Sequence, residues 1–294
     1  MLSLPRPRAV LLALALGLGL SLSACAPSMK VMTFNVRYPS TTGDEAQRWT
    51  TRRPVMVELI RQAKPDIIGT QELFQLQGDD IVRALPGYRW FGRDRRGAHA
   101  DEHMGIFYRT DRLRLVEQGD YWLSDTPDRP GSMAWGADLP RMVNWGVFEQ
   151  TGGQHRRFVF LDTHFAHRDA DEEARTRSAR LIVERLPSIA RGMPIVLVGD
   201  LNGLPASAAH RTLAAALTDA WDAAGRRDGP PETFHDFTGT ADKRIDYILI
   251  SGFTPQKVAV ERHHRGTVYP SDHFPITATL RFDRADQGTT VVNR

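Results

Sequence analysis

Short apolar runs typical of β-strands recur along the chain, and this recurrence constrains the fold more than any other feature. Helical patterns separate some of the runs and loops join others, which together predict a layered α/β sandwich. The predicted strands are residues 30–36, 66–71, 105–108, 143–149, 158–163, 195–198, 245–250 and 277–282, and the predicted helices are residues 53–63, 171–186 and 206–216.

The first 25 residues are set apart from this pattern. Arg6 and Arg8 precede an apolar stretch over residues 9–20, and small residues then lead to Cys25. This order predicts a secretory signal peptide over residues 1–24. A short anchor helix is the alternative, although the stretch is short for a membrane span. No linker divides residues 25–282, which we expect to form one domain, and the polar tail 283–294 is expected to be disordered.

Cys25 is the only cysteine, so neither a disulfide within the chain nor a cysteine-rich metal site is possible. The run "LSAC" behind the signal resembles the lipobox of bacterial lipoproteins. That resemblance implies cleavage before Cys25, lipidation of Cys25 and a stable membrane anchor. Ala26 follows the cysteine where an aspartate would favour retention at the inner membrane. We therefore expect an exported protein anchored to the envelope, at the outer membrane and facing the periplasm.

The charge pattern limits the choice of partners. The formal net charge is +3, and no basic tail or polybasic run marks a dedicated nucleic-acid binder. Nucleic acid therefore remains possible only as a substrate. We expect the protein to be a monomer.

Polar residues stand at or near the ends of several predicted strands. Each could be a turn or cap residue by itself. Together they predict a site, because strand ends on a rigid sheet are places where side chains converge. The residues are Asn35, Glu72, His164, Asp200, Asn202 and Asp246, to which the turn "SDH" before the last strand adds Asp272 and His273.

These residue types suit one kind of chemistry. Their carboxylate and amide oxygens favour Mg²⁺ or Mn²⁺ over zinc, and a zinc hydrolase is further disfavoured because no cysteine pair is present. His164 and His273 titrate near neutrality, and an acid such as Asp246 beside His273 would fix its tautomer. A hard cation with acid–base histidines predicts attack by water on a phosphate ester.

The motifs "TFNVR", "TQE", "DTHF", "VGDLN", "RIDYI" and "SDH" follow one another from Thr33 to His273. This ordered set resembles the endonuclease/exonuclease/phosphatase superfamily of DNase I-like hydrolases. The resemblance implies an α/β fold of four layers, in which two mixed β-sheets pack face to face with helices outside. It also implies a phosphoester hydrolase that depends on Mg²⁺ or Mn²⁺.

The resemblance assigns a role to each matched residue. Metal-site residues are Asn35, Glu72 and Asp272, with Glu72 as the principal ligand. Asp200 and Asn202 position the attacking water and the phosphate, and His164 contacts the phosphate. His273 is the base, held by Asp246.

The chain also departs from the repair enzymes of this superfamily. Arg37 stands where abasic-site endonucleases usually carry an aspartate, and residues 121–141 resemble an insertion found in a bacterial subgroup. Arg141, Trp122, Trp135 and His167 are the candidate substrate contacts, with core packing as the alternative for the tryptophans. The histidines at positions 99, 103, 263 and 264 are expected to be solvated.

Two functions stay open at this point. The first is a lipid-anchored phosphoester hydrolase whose substrate is a nucleic acid, a phospholipid head group, or a sugar or inositol phosphate. The second is a non-catalytic, lipid-anchored binding protein that retains the fold. Every matched position is filled, which favours the enzyme.

Overall fold

The computed structural model describes residues 28–283. The predicted signal peptide (1–24), Cys25 and all of the predicted tail except Asp283 lie outside the described residues. The strands are β1 (Ser28–Asn35), β2 (Ile67–Leu73), β3 (Tyr88–Phe91), β4 (His103–Arg109), β5 (Leu113–Trp122), β6 (Met142–Gln150), β7 (Arg157–His164), β8 (Ile195–Asp200), β9 (Thr218–Asp219), β10 (Arg227–Asp228), β11 (Asp246–Ser251), β12 (Phe253–Val260) and β13 (Ile276–Phe282). The α-helices are α1 (Trp49–Ala63), α2 (Gln75–Ala84), α3 (Glu172–Ala190), α4 (Ala208–Ala214) and α5 (Ala220–Ala223).

The strands form two mixed sheets. The first has seven strands in the order β10-β12-β13-β1-β2-β4-β3, and the second has six in the order β5-β6-β7-β8-β11-β9. Helices α1 and α2 pack on the outer face of the first sheet, and α3 and α4 pack on the outer face of the second. A third apolar cluster fills the space between the sheets. The predicted four-layered α/β sandwich is therefore confirmed.

The central strands are buried on both faces, which explains why they are continuous apolar runs in the sequence. Successive side chains of a strand point to opposite faces. In β8, Val196 and Val198 pack between the sheets, whereas Ile195 and Leu197 pack under the helices. Burial of each such side chain stabilises the fold by about 1.5–3 kcal/mol relative to its exposure.

All eight predicted strands are confirmed, with ends that move by one or two residues. The sequence did not reveal β5, whose Arg114, Glu117 and Gln118 are exposed or partly exposed polar residues, nor β12, which Pro255 and a bulge interrupt. Helix α2 was also missed, because its Gly78 and polar residues mask its apolar face. Between residues 28 and 283, no helix has the length and apolar content needed to cross a bilayer.

Candidate active site

The directions of the strands bring the polar strand-end residues to one edge of the sandwich. β1 and β2 are parallel, and so are β7 and β8, which places Asn35 near Glu72 and His164 beside Asp200. β11 is antiparallel to β8 and begins where β8 ends, so Asp246 pairs with Asp200. β13 is antiparallel to β1, and the loop before it reaches the same edge.

The site residues of β8 and β11 continue the rows of side chains that face the other sheet. The residues of β8 that face the other sheet are Val196 and Val198, and the next position of that stripe is Asp200. In β11 the corresponding stripe runs from Ile248 to Asp246. The catalytic candidates therefore close one end of the layer between the sheets, on strands that packing holds rigidly.

An acidic corner forms around Glu72 and Asp272. Nη1 of Arg37 lies 3.7 Å from Oε2 of Glu72 and 3.4 Å from Oδ2 of Asp272. Burial alone would lower the pKa of Arg37, but Asp272 and then Glu72 raise it above its ordinary value. Nδ2 of Asn35 donates to Oε1 of Glu72 at 3.0 Å. Glu72 has a φ of 60°, a conformation that a non-glycine residue adopts only when its surroundings fix it.

Asp200 is the central acid of the site. Its Oδ2 accepts from Nδ2 of Asn35 at 3.1 Å and lies 3.5 Å from Nε2 of His164 and 3.8 Å from Nε2 of His273. Its Oδ1 accepts from the backbone N–H of Asn202 at 2.9 Å. Burial, followed by the negative charge of Asp246, raises the pKa of Asp200 to about 7.

His273 and Asp246 form a buried pair. Nδ1 of His273 lies 2.9 Å from Oδ2 of Asp246, and both side chains are almost fully enclosed. Burial would lower the pKa of His273, but the carboxylates of Asp246, Asp200 and Asp272 raise it to about 10. The geometry therefore holds the ring as an imidazolium near neutral pH.

His164 and Asn202 occupy the opposite side of Asp200. Nδ2 of Asn202 lies 3.1 Å from Nε2 of His164 and donates to the backbone carbonyl of Phe165 at 3.2 Å. Burial, then the positive charge of Arg141, lowers the pKa of His164 well below its usual range. The surroundings thus favour the neutral form of His164 and the protonated form of His273 around one carboxylate.

These residues border a pocket of about 590 Å³. Of the predicted site residues, those lining it are Glu72, Arg141, His164, His167, Asp200, Asn202, Asp272 and His273. Asn35 and Asp246 stand directly behind this wall and contact Asp200 and His273. The structure thus brings together ten of the twelve predicted metal, catalytic and substrate-contact residues.

The two tryptophans are not part of this wall, so the expectation that they contact the substrate there is corrected. Trp122 is 1% exposed, and its Nε1 donates to the backbone carbonyl of Arg95 at 2.7 Å, so it is a packing residue. Trp135 lies on a separate surface depression with Arg177 and Leu181, and its Nε1 donates to Asp125 at 2.8 Å. Aromatic side chains of this size often serve packing, and the sequence pattern did not distinguish the two uses.

His103 also departs from expectation, because it is fully buried instead of solvated. Its Nδ1 lies 3.0 Å from the backbone carbonyl of Leu73, and its Nε2 lies 3.2 Å from Nδ1 of His99. Burial lowers the pKa of His103. His99 and His264 are exposed and His263 is half-buried.

Sequence reasoning missed three residues around the pocket. Arg95 and Glu102 line it and form an ion pair of 2.7 Å, and burial raises the pKa of Glu102 to about 7. Arg52 is fully buried behind it and donates to backbone carbonyls on both sides of the acidic corner, those of Val36 and Pro270 among them. No local signal marks these residues, because the loop of Arg95 and Glu102 has no periodic pattern and Arg52 reaches a carbonyl as distant in sequence as that of Pro270.

Two further side-chain groups among the described residues could share a cation: Asp200, Asp246 and His273, and a second group of Asp138, His167 and Asp171. In the first, His273 already lies between the two acids, 3.8 Å from Asp200 and 2.9 Å from Asp246. In the second, Arg168 lies 2.6 Å from Asp171 and 3.8 Å from Asp138.

The acidic corner is the better place for a hard divalent ion. Its two carboxylates converge on a single guanidinium from Arg37, a side chain that is one-third exposed and long enough to withdraw. Carboxylate and amide oxygens are the donors that Mg²⁺ and Mn²⁺ prefer. Glu72, Asp272 and Asn35 therefore fit such an ion by the chemistry of their donor atoms.

The four-layered sandwich, with this pocket at the common end of its strands, is the fold of the DNase I-like phosphoesterases. The family model described as "Endonuclease/Exonuclease/phosphatase family" matches residues 32–273, and the chain belongs to this family. The predicted motif set, which runs from Thr33 to His273, spans almost the same residues.

Known proteins agree with this assignment. An endonuclease/exonuclease/phosphatase family protein of Bacteroides thetaiotaomicron is 34% identical with a TM-score of 0.83, and the match covers 88% of this chain and 100% of that one. A mannosyl-6-phosphatase of the same organism is also 34% identical, with a TM-score of 0.80 over 86% of this chain and 100% of its own. An uncharacterised protein of Acanthamoeba polyphaga mimivirus is 29% identical over 59% of this chain and 67% of that protein.

Proposed function

We propose that the protein is a divalent-metal-dependent phosphoester hydrolase that attacks phosphorus with an activated water molecule. The observation that supports this most directly is the convergence of the acidic corner, Asp200 and the Asp246–His273 pair on one pocket. Such a set supplies a place for a cation, an acceptor for a proton and a positive charge for a phosphate oxygen.

Glu72, Asp272 and Asn35 would hold the cation, with Glu72 as the principal ligand. When bound, Mg²⁺ or Mn²⁺ supplies positive charge that stabilises the phosphate as negative charge develops on it. Arg37 must leave its present place between Glu72 and Asp272 for the ion to bind there. It would then be free to contact substrate at the rim.

Asp200 is the residue we assign to accept the proton of the attacking water. Its Oδ2 lies among Asn35, His164 and His273 on the pocket wall, and its Oδ1 is fixed by the N–H of Asn202. This differs from the expectation that His273 is the base. Asp246 and Asp200 flank the His273 ring and favour its cation, so the ring is better suited to donate to a phosphate oxygen.

A phosphorylated sugar is our first candidate substrate. The support is the similarity to the Bacteroides thetaiotaomicron mannosyl-6-phosphatase over 86% of this chain. The pocket lining also agrees, because it is rich in charged and polar groups that can bond hydroxyls and has Phe234 and Tyr38 as its aromatic residues. Nucleic acid and phospholipid head groups are the other substrates to be tested.

The test is a substrate panel on the purified protein with Mg²⁺, with Mn²⁺ and with EDTA. The panel includes mannose 6-phosphate, an inositol phosphate, a phospholipid and single- and double-stranded DNA. We expect metal-dependent phosphate release from the sugar phosphate. If none of these substrates is cleaved with either metal, the hydrolase assignment is contradicted. If only DNA is cleaved, and only with metal, the substrate is nucleic acid and not a sugar phosphate.

A further inference from the structure

Arg141 is a buried charge without a counter-ion. Arg141 is 5% exposed and lies on the wall of the pocket described above. Nη2 donates to Nδ1 of His167 at 3.2 Å. Nε and Nη1 are buried and have no hydrogen-bond partner among the described residues. Within residues 28–283, no carboxylate lies within ion-pair distance of this guanidinium.

The other buried arginines of the described chain have a carboxylate or several carbonyls as partners, and of their buried nitrogens only Nε of Arg95 and Nε of Arg244 lack a hydrogen bond. Arg52 donates to five backbone carbonyls, and Nη2 of Arg244 donates to both carboxylate oxygens of Asp219. Arg175 bonds Glu172 and two nearby carbonyls. Arg95 is paired with Glu102 and Asp101. Arg141 differs from them, because two of its nitrogens are unbonded and its side chain has only His167 as a partner in the described part of the chain. Since arginine cannot shed its proton, it cannot relieve the cost of burial in that way.

The position of Arg141 in the fold places this charge beside His164. β6 begins at Met142, and Val143 pairs with Thr163 of the neighbouring β7. The chain therefore passes Arg141 next to the point at which β7 ends in His164. The pKa of His164 is lowered by burial first and by Arg141 second, which agrees with this proximity.

We propose that Arg141 binds the non-bridging oxygens of the scissile phosphate, next to His164, so that bound substrate supplies the counter-ion that this buried guanidinium lacks. This inference rests on the proposed phosphoester hydrolase function. A guanidinium is well suited to phosphate because its N–H groups make charge-assisted hydrogen bonds.

His167 positions this guanidinium. Because arginine only donates, Nδ1 of His167 must accept the hydrogen bond, and the ring then carries its proton on Nε2. Glu102 attracts Arg141, but its carboxylate is bonded to Arg95 at 2.7 Å and is not within ion-pair distance of Arg141. The arrangement leaves Arg141 oriented at the pocket wall without a paired carboxylate.

The test uses Arg141→Met, Arg141→Lys and a control, Arg177→Met, whose exposed side chain bonds only Glu173. Binding of inorganic phosphate is measured by calorimetry in Mg²⁺, together with the melting temperature. We expect Arg141→Met to weaken phosphate binding at least ~10-fold, the scale of a hydrogen bond to a charged group, with Lys intermediate and the control unchanged. Because the substitution removes an unpaired buried charge, the melting temperature should stay the same or rise.

A merely structural Arg141 would give the reverse pattern, with a lower melting temperature in Arg141→Met and unchanged phosphate affinity. That result would overturn the proposal, as would a wild-type protein that fails to bind phosphate at millimolar concentration. The two proposals fail separately. A wild-type protein that binds phosphate through Arg141 but hydrolyses no ester contradicts only the hydrolase assignment. Metal-dependent hydrolysis with unchanged phosphate binding by Arg141→Met contradicts only the role of Arg141.

Discussion

At the scale of single residues, the Asp246–His273 pair should behave as one unit. His273→Ala removes the positive charge that we propose meets the phosphate, and we expect turnover to fall at least ~100-fold, the effect of deleting one preorganised donor. Asp246→Asn removes the partner that lies 2.9 Å from the His273 ring and helps to keep it protonated. The decrease in turnover of this variant should be no larger than that of His273→Ala.

The double variant of Asp246→Asn and His273→Ala tests whether the two residues act together. Its turnover should be little lower than that of His273→Ala alone, because removing one member of a unit already removes most of the effect of both. Asp246→Asn should also lower the pKa of His273 and shift activity toward lower pH, where the ring is still protonated. Steady-state rates at several pH values measure both effects. Independent, multiplying losses would show that Asp246 is only a structural acid of β11.

The site residues that could be predicted from the sequence lie at strand ends and within recognisable motifs. His164, Asp200 and Asp246 stand at the ends of strands whose apolar runs are visible in the sequence. Arg95 and Glu102 were not predicted, because the loop that positions them has no periodic pattern. Trp122 was a candidate substrate contact with core packing as the alternative, and it is packed inside, since residue type alone does not report burial.

At the scale of secondary structure elements, the close approach of the two sheets depends on Gly69 in β2. A Cβ at this position would lie 2.3 Å from Cγ2 of Val198 in β8 and 2.8 Å from Cγ of Asp162 in β7. All of these atoms lie in the packed layer between the sheets. We expect Gly69→Ala to reduce the free energy of unfolding by about 1–3 kcal/mol, the usual cost of overpacking.

Gly87→Ala is the matched control, since a Cβ there meets nothing within 4 Å. It should leave stability unchanged or raise it slightly, because alanine restricts the unfolded chain. Urea denaturation of both variants and the wild type gives the comparison. Equal stability of Gly69→Ala and wild type would mean that the sheets can separate locally without cost.

The elements themselves were predictable to the extent that both of their faces are buried. β7, β8 and β11 have apolar residues on both faces and were found. β5 lies at the edge of its sheet and carries many exposed polar residues, so its sequence lacks that signal. The pairing of strands into two sheets came from the family resemblance, because register between distant segments leaves no local pattern.

At the scale of the whole molecule, we propose that the catalytic domain is tethered to the bacterial envelope through Cys25. The basis is the sequence "LSAC" behind a basic and apolar segment. Cys25→Ser, expressed in the native host, should move the protein from the membrane fraction to the soluble fraction and remove the mass of the lipid. Unchanged membrane association and mass would contradict lipidation at this residue.

We propose above all that this pocket hydrolyses phosphate esters with a divalent cation held at Glu72. The most direct measurement is phosphate release by metal-stripped protein before and after Mg²⁺ is restored, in wild type and Glu72→Gln. Gln removes the charge with little change in volume, so the variant should remain folded. We predict that wild-type turnover is lost in EDTA and recovers with Mg²⁺, while Glu72→Gln stays inactive in both conditions. Full turnover by the metal-stripped wild type, or wild-type rates from Glu72→Gln, would contradict the account.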